Sequence, residues 1–248
     1  MALTLERELV LGNRDLAPLV FLHEGLGSLS LWRRFPREVA AATGWPTTLV
    51  YSRPGYGRSA PVPLPRPVTY MHDEALETLP ALLGDVGIER PVLVGHSDGA
   101  SIAIIHAGAG FDVAALVLIA PHVFVEERSI EGIRASRAAY DGGDLRARLA
   151  HHHANVDVAF RGWSDVWLSP AFRSWTITSS LPPISCPVLL IQAEDDPYGT
   201  AAQLDAIEEG VAGPVERVEL PGSTHSPHVD HPEIVVNAIA GFLVRDGR

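Results

Sequence analysis

Short apolar runs alternate with longer amphipathic stretches along this 248-residue chain. Runs of Val, Leu and Ile that are bounded by turn residues predict buried strands. These runs lie at 18–22, 47–51, 92–94, 113–119, 187–191 and 215–220, with a possible edge strand at 3–11. Near-continuous apolar strands are typical of a mostly parallel sheet covered on both faces, so the pattern predicts an α/β layer fold.

Amphipathic stretches between these runs predict the helices that cover the sheet. They lie between Leu31 and Gly44 and at 70–86, 101–107, 200–209 and 232–244. Helices and strands therefore alternate along most of the chain, as in a sheet with helices on both faces.

The alternation breaks between residues 122 and 183. Charged helical stretches replace the apolar runs there, and the segment is rich in aromatic residues, namely Trp163, Trp167, Phe172 and Trp175. These side chains are compatible with a pocket lining and with a small core of the segment itself. We expect residues 1–121 and 184–248 to form the α/β core and residues 122–183 to form a helical cap, or lid, over it.

Composition excludes several classes of function. The net charge of −11 argues against a nucleic-acid partner, because such binding needs a basic surface. No apolar run approaches the ~18 residues of a membrane span, and the N-terminus lacks the pattern of a secretory leader. The single cysteine, Cys186, leaves no internal disulfide and fits a reducing compartment, so we expect a cytoplasmic protein. All 19 basic residues are arginine, which rules out Schiff-base chemistry on a lysine of this chain.

The strand at 92–94 runs into Gly95-His96-Ser97-Asp98-Gly99 and then directly into a helix. In this strand–turn–helix context, a serine is held in a strained bend with its hydroxyl exposed. Gly95 and Gly99 are expected because a side chain at either position would collide with a neighbouring strand or helix. The alternative is a glycine-rich turn whose serine merely caps the helix.

A serine hydroxyl is a poor nucleophile, so it needs a base, and the base needs an acid to orient it. Asp195 and Asp196 follow the strand at 187–191, and His225 follows the last strand. The carboxyl ends of parallel strands share one edge of a sheet, so these residues are expected to meet Ser97 there. The order serine, acid, histidine is typical of nucleophile-elbow enzymes.

With these motifs in view, the chain resembles the α/β-hydrolases over essentially its full length. The matching motifs are Gly95-His96-Ser97-Asp98-Gly99, His23-Glu24-Gly25, residues 53–59, the acid after a strand, and the late Gly-Ser-Thr-His. The resemblance implies that Ser97 is the nucleophile, His225 the base and Asp196 the acid, with Asp195 as the alternative.

The resemblance also implies an oxyanion hole built from the backbone N–H groups of Gly25 and Asp98. Glu24 departs from the family, whose members often have glycine there. A carboxylate that pointed inward would oppose the charge of an oxyanion, so we expect Glu24 to point away. Alternatively, the Glu24 and Asp98 side chains bind a polar part of the substrate.

Histidines at His228 and His231 raise the question of a metal site, as does the run His151-His152-His153. No further ligand cluster accompanies either group, and a loop histidine is usually solvated. We therefore expect neither a metal nor a cofactor.

Taken together, the motifs predict a serine hydrolase that cleaves a small-molecule carboxylic ester by acyl transfer. A serine nucleophile argues against the dehalogenase and epoxide-hydrolase branches, which use aspartate. Thioester, lactone or carbon–carbon cleavage, a lyase or synthase reaction, and a non-catalytic small-molecule receptor stay open, because the same residues serve several of these roles.

Overall fold

The computed structural model describes residues 4–245 and contains a seven-stranded sheet. Its strands are β1 Arg7–Val10, β2 Leu19–Leu22, β3 Thr48–Tyr51, β4 Val92–His96, β5 Ala115–Ile119, β6 Val188–Ala193 and β7 Val215–Leu220. The spatial order is β1-β3-β2-β4-β5-β6-β7, in which β1 is antiparallel to β3 and all other neighbours are parallel. The predicted α/β layer fold is confirmed.

Helices cover both faces of this sheet. They are α1 Phe35–Ala42, α2 Tyr70–Asp73, α3 Leu79–Val86, α4 Asp98–Gly108, α5 Glu127–Gly142, α6 Leu145–Leu149, α7 Val156–Trp167, α8 Ala201–Gly210, α9 Pro227–Asp230 and α10 Pro232–Arg245. Alternate residues of a strand point to opposite faces. Accordingly, Leu19 and Phe21 of β2 belong to the apolar cluster that includes α1 and α10, whereas Val20 and Leu22 belong to the cluster that includes α3 and α4. Within residues 4–245, no helix has the length and apolar character needed to cross a membrane.

Two predicted helices differ from the structure at a proline. The helix expected from Leu31 begins only at Phe35, with Pro36 in its first turn and a 3₁₀ turn before it. The helix at 70–86 contains a π turn, Glu74–Thr78, between α2 and α3. Pro80 follows this turn and has no N–H to donate to the preceding turn, which accounts for the local change in hydrogen bonding.

The segment between β5 and β6 contains α5, α6 and α7 and two short 3₁₀ turns. Trp167 packs against Phe172 and Trp175, with ring centroids 5.0 and 5.9 Å away. Trp163 and Trp167 also line a cavity at the sheet edge. The aromatic residues of the segment therefore contribute both to its own packing and to a pocket.

Four loops follow the carboxyl ends of parallel strands and meet at one edge of the sheet. The loops after β2, β4, β6 and β7 carry Gly25, Ser97, Asp196 and His225, respectively. The fold therefore brings together chain positions that are up to 200 residues apart in the sequence.

Candidate active site

Ser97 occupies the sharp bend between β4 and α4. Its backbone has φ +52° and ψ −118°, a region that residues with a side chain rarely adopt. A Cβ at Gly99 would collide with the backbone of Leu22, and one at Gly95 would lie 2.6 Å from the Cα of Ala100. The predicted reason for both glycines is confirmed, because each allows two backbone segments to approach closely.

His225 is bound by a buried carboxylate. Its Nδ1 lies 2.8 Å from Oδ2 and 2.9 Å from Oδ1 of Asp196, which is fully buried. Asp195 is exposed. The structure therefore joins Asp196, rather than the alternative Asp195, to the imidazole.

Two further donors hold the carboxylate of Asp196. The side-chain amide of Gln192 donates to Oδ2 at 3.1 Å, and the backbone N–H of Tyr198 donates to Oδ1 at 2.8 Å. Burial alone would raise the pKa of Asp196, but the attraction of His225 and the Tyr198 N–H outweigh it and lower the pKa. Because an ionised carboxylate only accepts hydrogen bonds, Nδ1 of His225 carries the hydrogen and Nε2 is left as an acceptor.

A cavity of about 210 Å³ lies between the loops that carry the predicted site residues. Ser97, His225, Gly25 and Asp98 all line it, so the structure brings these four predicted residues to one space. Within residues 4–245, no hydrogen bond joins Ser97 to His225. Such bonds are often long or misaligned without substrate. A larger cavity of about 410 Å³ lies between β1, α1 and Trp45, and none of the candidate residues lines it.

The carboxylate of Asp98 is held inside the protein. It accepts hydrogen bonds from the Tyr70 hydroxyl at 2.5 Å and the Trp167 indole at 3.3 Å, and Arg53 lies 3.7 Å away. Burial raises the pKa of Asp98, although Arg53 and the two donors oppose the shift. These donors occupy the carboxylate, so this side chain links α7 to the start of α4.

The carboxylate of Glu24 faces the ring of the buried His96. Glu24 is among the lining residues, and its Oε2 lies 3.4 Å from Nδ1 of His96. Burial alone would raise the pKa of Glu24, but the attraction of the His96 imidazole outweighs it, so the pKa falls below its usual range. The imidazole of His96 is therefore the nearest partner of the carboxylate beside Gly25.

Sequence reasoning missed His122 and Tyr198, which also line the cavity. His122 lies three residues after the end of β5, so the rule that functional groups gather at strand ends could have identified it. Tyr198 lies two residues after Asp196, and its ring centroid is 4.6 Å from that of His225. Of the aromatic residues named as possible pocket lining, Trp163 and Trp167 line the cavity; no local pattern separates them from Phe172 and Trp175, because their places depend on how α7 packs.

His153 connects the segment 122–183 to two core loops. Its Nδ1 accepts from the backbone N–H of Gly57 at 3.0 Å, and its Nε2–H donates to the carbonyl of Leu26 at 3.0 Å. The sequence pattern indicated a solvated polar stretch for this histidine run and did not predict these contacts with the core. In the described part of the chain, no group of three or more His, Cys, Asp or Glu side chains is arranged to hold a metal ion.

Several buried histidines predict that the fold loses stability in mild acid. Burial lowers the pKa of His122 to about 4 and that of His228 to about 3, both from 6.5. Between pH 6.5 and 4, the unfolded chain therefore binds protons that the folded chain does not. Stability falls as the pH falls, by an amount on the order of 3 kcal/mol for each of the two histidines at pH 4.

Two carboxyl groups with raised pKa values, Asp98 and Glu74, act in the opposite direction. Burial raises the pKa of Glu74 to about 7, so protonation of this carboxyl group stabilises the fold as the pH falls through the same range. Urea unfolding between pH 7 and 4 should show a falling midpoint in the wild type and a steeper fall in Glu74→Gln. A wild-type midpoint that rises or stays constant toward pH 4 would contradict the prediction.

Comparison with known proteins agrees with this geometry. A sequence model described as the alpha/beta hydrolase family matches residues 19–238. The sn-1-specific diacylglycerol lipase ABHD11 of Danio rerio is 34% identical over 93 residues, which cover 38% of this chain and 27% of that protein. The chain therefore spans about a quarter of the length of this relative.

Two solved structures share the whole architecture at low sequence identity. A carboxylesterase of Nitrososphaera gargenis has a TM-score of 0.78 at 18% identity, covering 98% of this chain and 95% of that chain. The proline iminopeptidase of Mycobacterium smegmatis has a TM-score of 0.76 at 18% identity, covering 99% of each chain. These likenesses concern the fold alone, whereas the sequence model covers most of the chain. The chain belongs to the alpha/beta hydrolase family.

Proposed function

We propose that this protein is a serine hydrolase that cleaves a small carboxylic ester by acyl transfer. The observation that carries the proposal is the pairing of His225 with the buried carboxylate of Asp196 at the cavity that Ser97 lines. A hydrolase with an ester substrate also agrees with the carboxylesterase and lipase among the similar proteins.

In the proposed reaction, Nε2 of His225 takes the proton of the Ser97 hydroxyl as its oxygen attacks the ester carbonyl. Asp196 keeps the imidazole in the required tautomer and stabilises its positive charge. The protonated His225 then gives the proton to the leaving alcohol, and an acyl-enzyme on Ser97 results. Water, activated by the same imidazole, hydrolyses the acyl-enzyme and restores the hydroxyl.

Backbone N–H groups of Gly25 and Asp98 are the proposed donors to the oxyanion. Asp98 is the first residue of α4, and the first N–H groups of a helix have no partner within it. The helix dipole adds partial positive charge at the same end. Gly25 lines the cavity next to Trp163, where a Cβ would collide with the indole ring.

The size of the cavity favours short substrates. Its volume of about 210 Å³ is below the ~300 Å³ at the lower end of typical ligand pockets. Trp163, Trp167 and Ile133, all from the segment 122–183, form its apolar wall. We propose that this segment acts as a lid that limits the acyl group to a few carbons.

The function is tested with p-nitrophenyl esters from acetate to decanoate, a matched thioester series, and proline p-nitroanilide as a peptidase substrate. We expect turnover of the acetate and butyrate esters, little turnover of decanoate, and covalent labelling by a fluorophosphonate. If the protein hydrolyses only the thioesters, or only the anilide, the assignment of an ester substrate is wrong. Absence of all turnover and labelling would favour a receptor.

Trp163→Ala is expected to shift the preference toward longer acyl chains. Removing the indole next to Gly25 opens the wall of the cavity, so the ratio of kcat/KM for octanoate over acetate should rise about tenfold or more. Trp175→Ala is the matched control, because Trp175 packs on Phe172 and does not line the cavity. An unchanged ratio in Trp163→Ala would contradict the assigned wall.

A further inference from the structure

A second histidine connects the two loops on either side of the candidate site. Nε2 of His96 lies 2.8 Å from the backbone carbonyl oxygen of His225, and its Nδ1 lies 3.4 Å from Oε2 of Glu24. His96 is almost fully buried, with 1% of its side chain exposed. In residues 4–245, its Nδ1 has no hydrogen-bond partner, so the Glu24 carboxylate is the group that it faces.

These contacts indicate which ring nitrogens of His96 carry a hydrogen. A carbonyl oxygen only accepts, so Nε2 of His96 carries a hydrogen. In a neutral imidazole, Nδ1 would then present a lone pair to the carboxylate of Glu24, which is repulsive. A hydrogen on Nδ1 removes the repulsion and makes the two side chains an ion pair without net charge.

We propose that His96 is a positioning residue, which with Glu24 holds the main chain of His225 in place for proton transfer. This inference rests on the proposed function, since it concerns the base of that reaction. The Nε2–H of His96 fixes the backbone carbonyl of His225, while Asp196 fixes its ring. The imidazole of His225 is thereby held at two separate points.

The ion pair has a second effect at the proposed oxyanion site. Glu24 precedes Gly25, so an unbalanced carboxylate there would oppose the negative charge that develops during attack. Pairing with His96 neutralises it. A Cβ at Gly27 would collide with the carboxylate of Glu24, so glycine at this position lets the side chain fold back toward His96.

The other side chains around the ring of His96 are aromatic rings and carry no negative charge. Its ring centroid lies 4.8 Å from that of His228, in an edge-on contact, 5.1 Å from that of His225 and 6.3 Å from that of Trp32. Burial, together with the nearby His96, lowers the pKa of His228 to about 3, so His228 is neutral near pH 7. Glu24 is therefore the anionic group in contact with His96.

The test compares His96→Leu, His96→Gln and a matched control, His106→Leu, in ester hydrolysis. His106 is also buried, and its ring also bonds a backbone carbonyl, that of Ala75 at 2.8 Å, but it does not line the cavity. We expect His96→Leu to lower kcat at least tenfold with KM changed less than threefold. His96→Gln, which can keep an N–H near the position of Nε2, should recover most of kcat. His106→Leu should leave kcat unchanged even if it lowers the melting temperature.

A spectroscopic measurement on the wild type does not depend on how the variants fold. In ¹⁵N-histidine-labelled protein near pH 7, both ring nitrogens of His96 should show protonated shifts. A bare Nδ1, or wild-type kcat in a folded His96→Leu, would overturn the inference. An equal loss of kcat in His106→Leu would also do so. If the wild type hydrolyses no ester, it is the proposed function that fails.

Discussion

Ser97→Ala is expected to lower kcat/KM for a short-chain ester by about 10⁴-fold or more, because the attacking oxygen is removed. Fluorophosphonate labelling should disappear as well. The fold should persist, since the Ser97 side chain makes no hydrogen bond within residues 4–245 and alanine tolerates the positive φ about as well as serine. Hydrolysis rates, labelling and thermal unfolding of the purified variant provide the measurements.

Ser101→Ala is the matched control for that variant. Ser101 lies on the same helix, α4, and its buried hydroxyl donates to the carbonyl of His122 at 2.6 Å. Its loss should cost about 1–2 kcal/mol of stability while labelling continues. Ser97→Ala is thus expected to lose labelling and keep its stability, whereas Ser101→Ala is expected to keep labelling and lose stability. Retained hydrolysis and labelling in Ser97→Ala would refute the nucleophile assignment.

The parts of this protein that could be predicted from sequence depend on local patterns. Apolar runs identified the strands, and the rule that the strand ends of a parallel sheet share an edge predicted that Ser97, a carboxylate of Asp195 or Asp196, and His225 meet there. The choice of Asp196 came from the family resemblance. Gly95 and Gly99 were interpretable for the same reason, since their role follows from the bend between β4 and α4. Pro36 and Pro80 are equally local signals, and they explain where two helices depart from the prediction.

Contacts between distant side chains could not be predicted in this way. The bond from His96 to the carbonyl of His225 spans 129 residues of sequence, and that from Trp167 to Asp98 spans 69. The partner of the Glu24 carboxylate was not predicted, because the contact depends on His96, whose role is not visible in the motif. Such pairings arise from the packing of loops and of α7, which hydrophobic periodicity does not describe.

Asp196→Asn is expected to lower kcat by about 10³–10⁴-fold, whereas Asp195→Asn should stay within about twofold of the wild type. Three donors converge on the carboxylate of Asp196: the His225 ring, the Gln192 amide and the Tyr198 N–H. An amide has one oxygen to offer them and an NH₂ group that must face one of the donors. If the NH₂ faces Nδ1 of His225, the imidazole hydrogen moves to Nε2, and the base can no longer accept the Ser97 proton.

This pair of variants separates orientation of the base from general electrostatics. Both substitutions remove one negative charge, and the two positions are adjacent in sequence, so a long-range charge effect would lower both activities alike. Only the buried Asp196 contacts His225, so a loss confined to Asp196→Asn with little change in KM identifies control of the tautomer. A larger loss in Asp195→Asn would move the acid role to the exposed residue. Because that carboxylate is solvated, the loop after β6 would then have to rearrange when substrate binds.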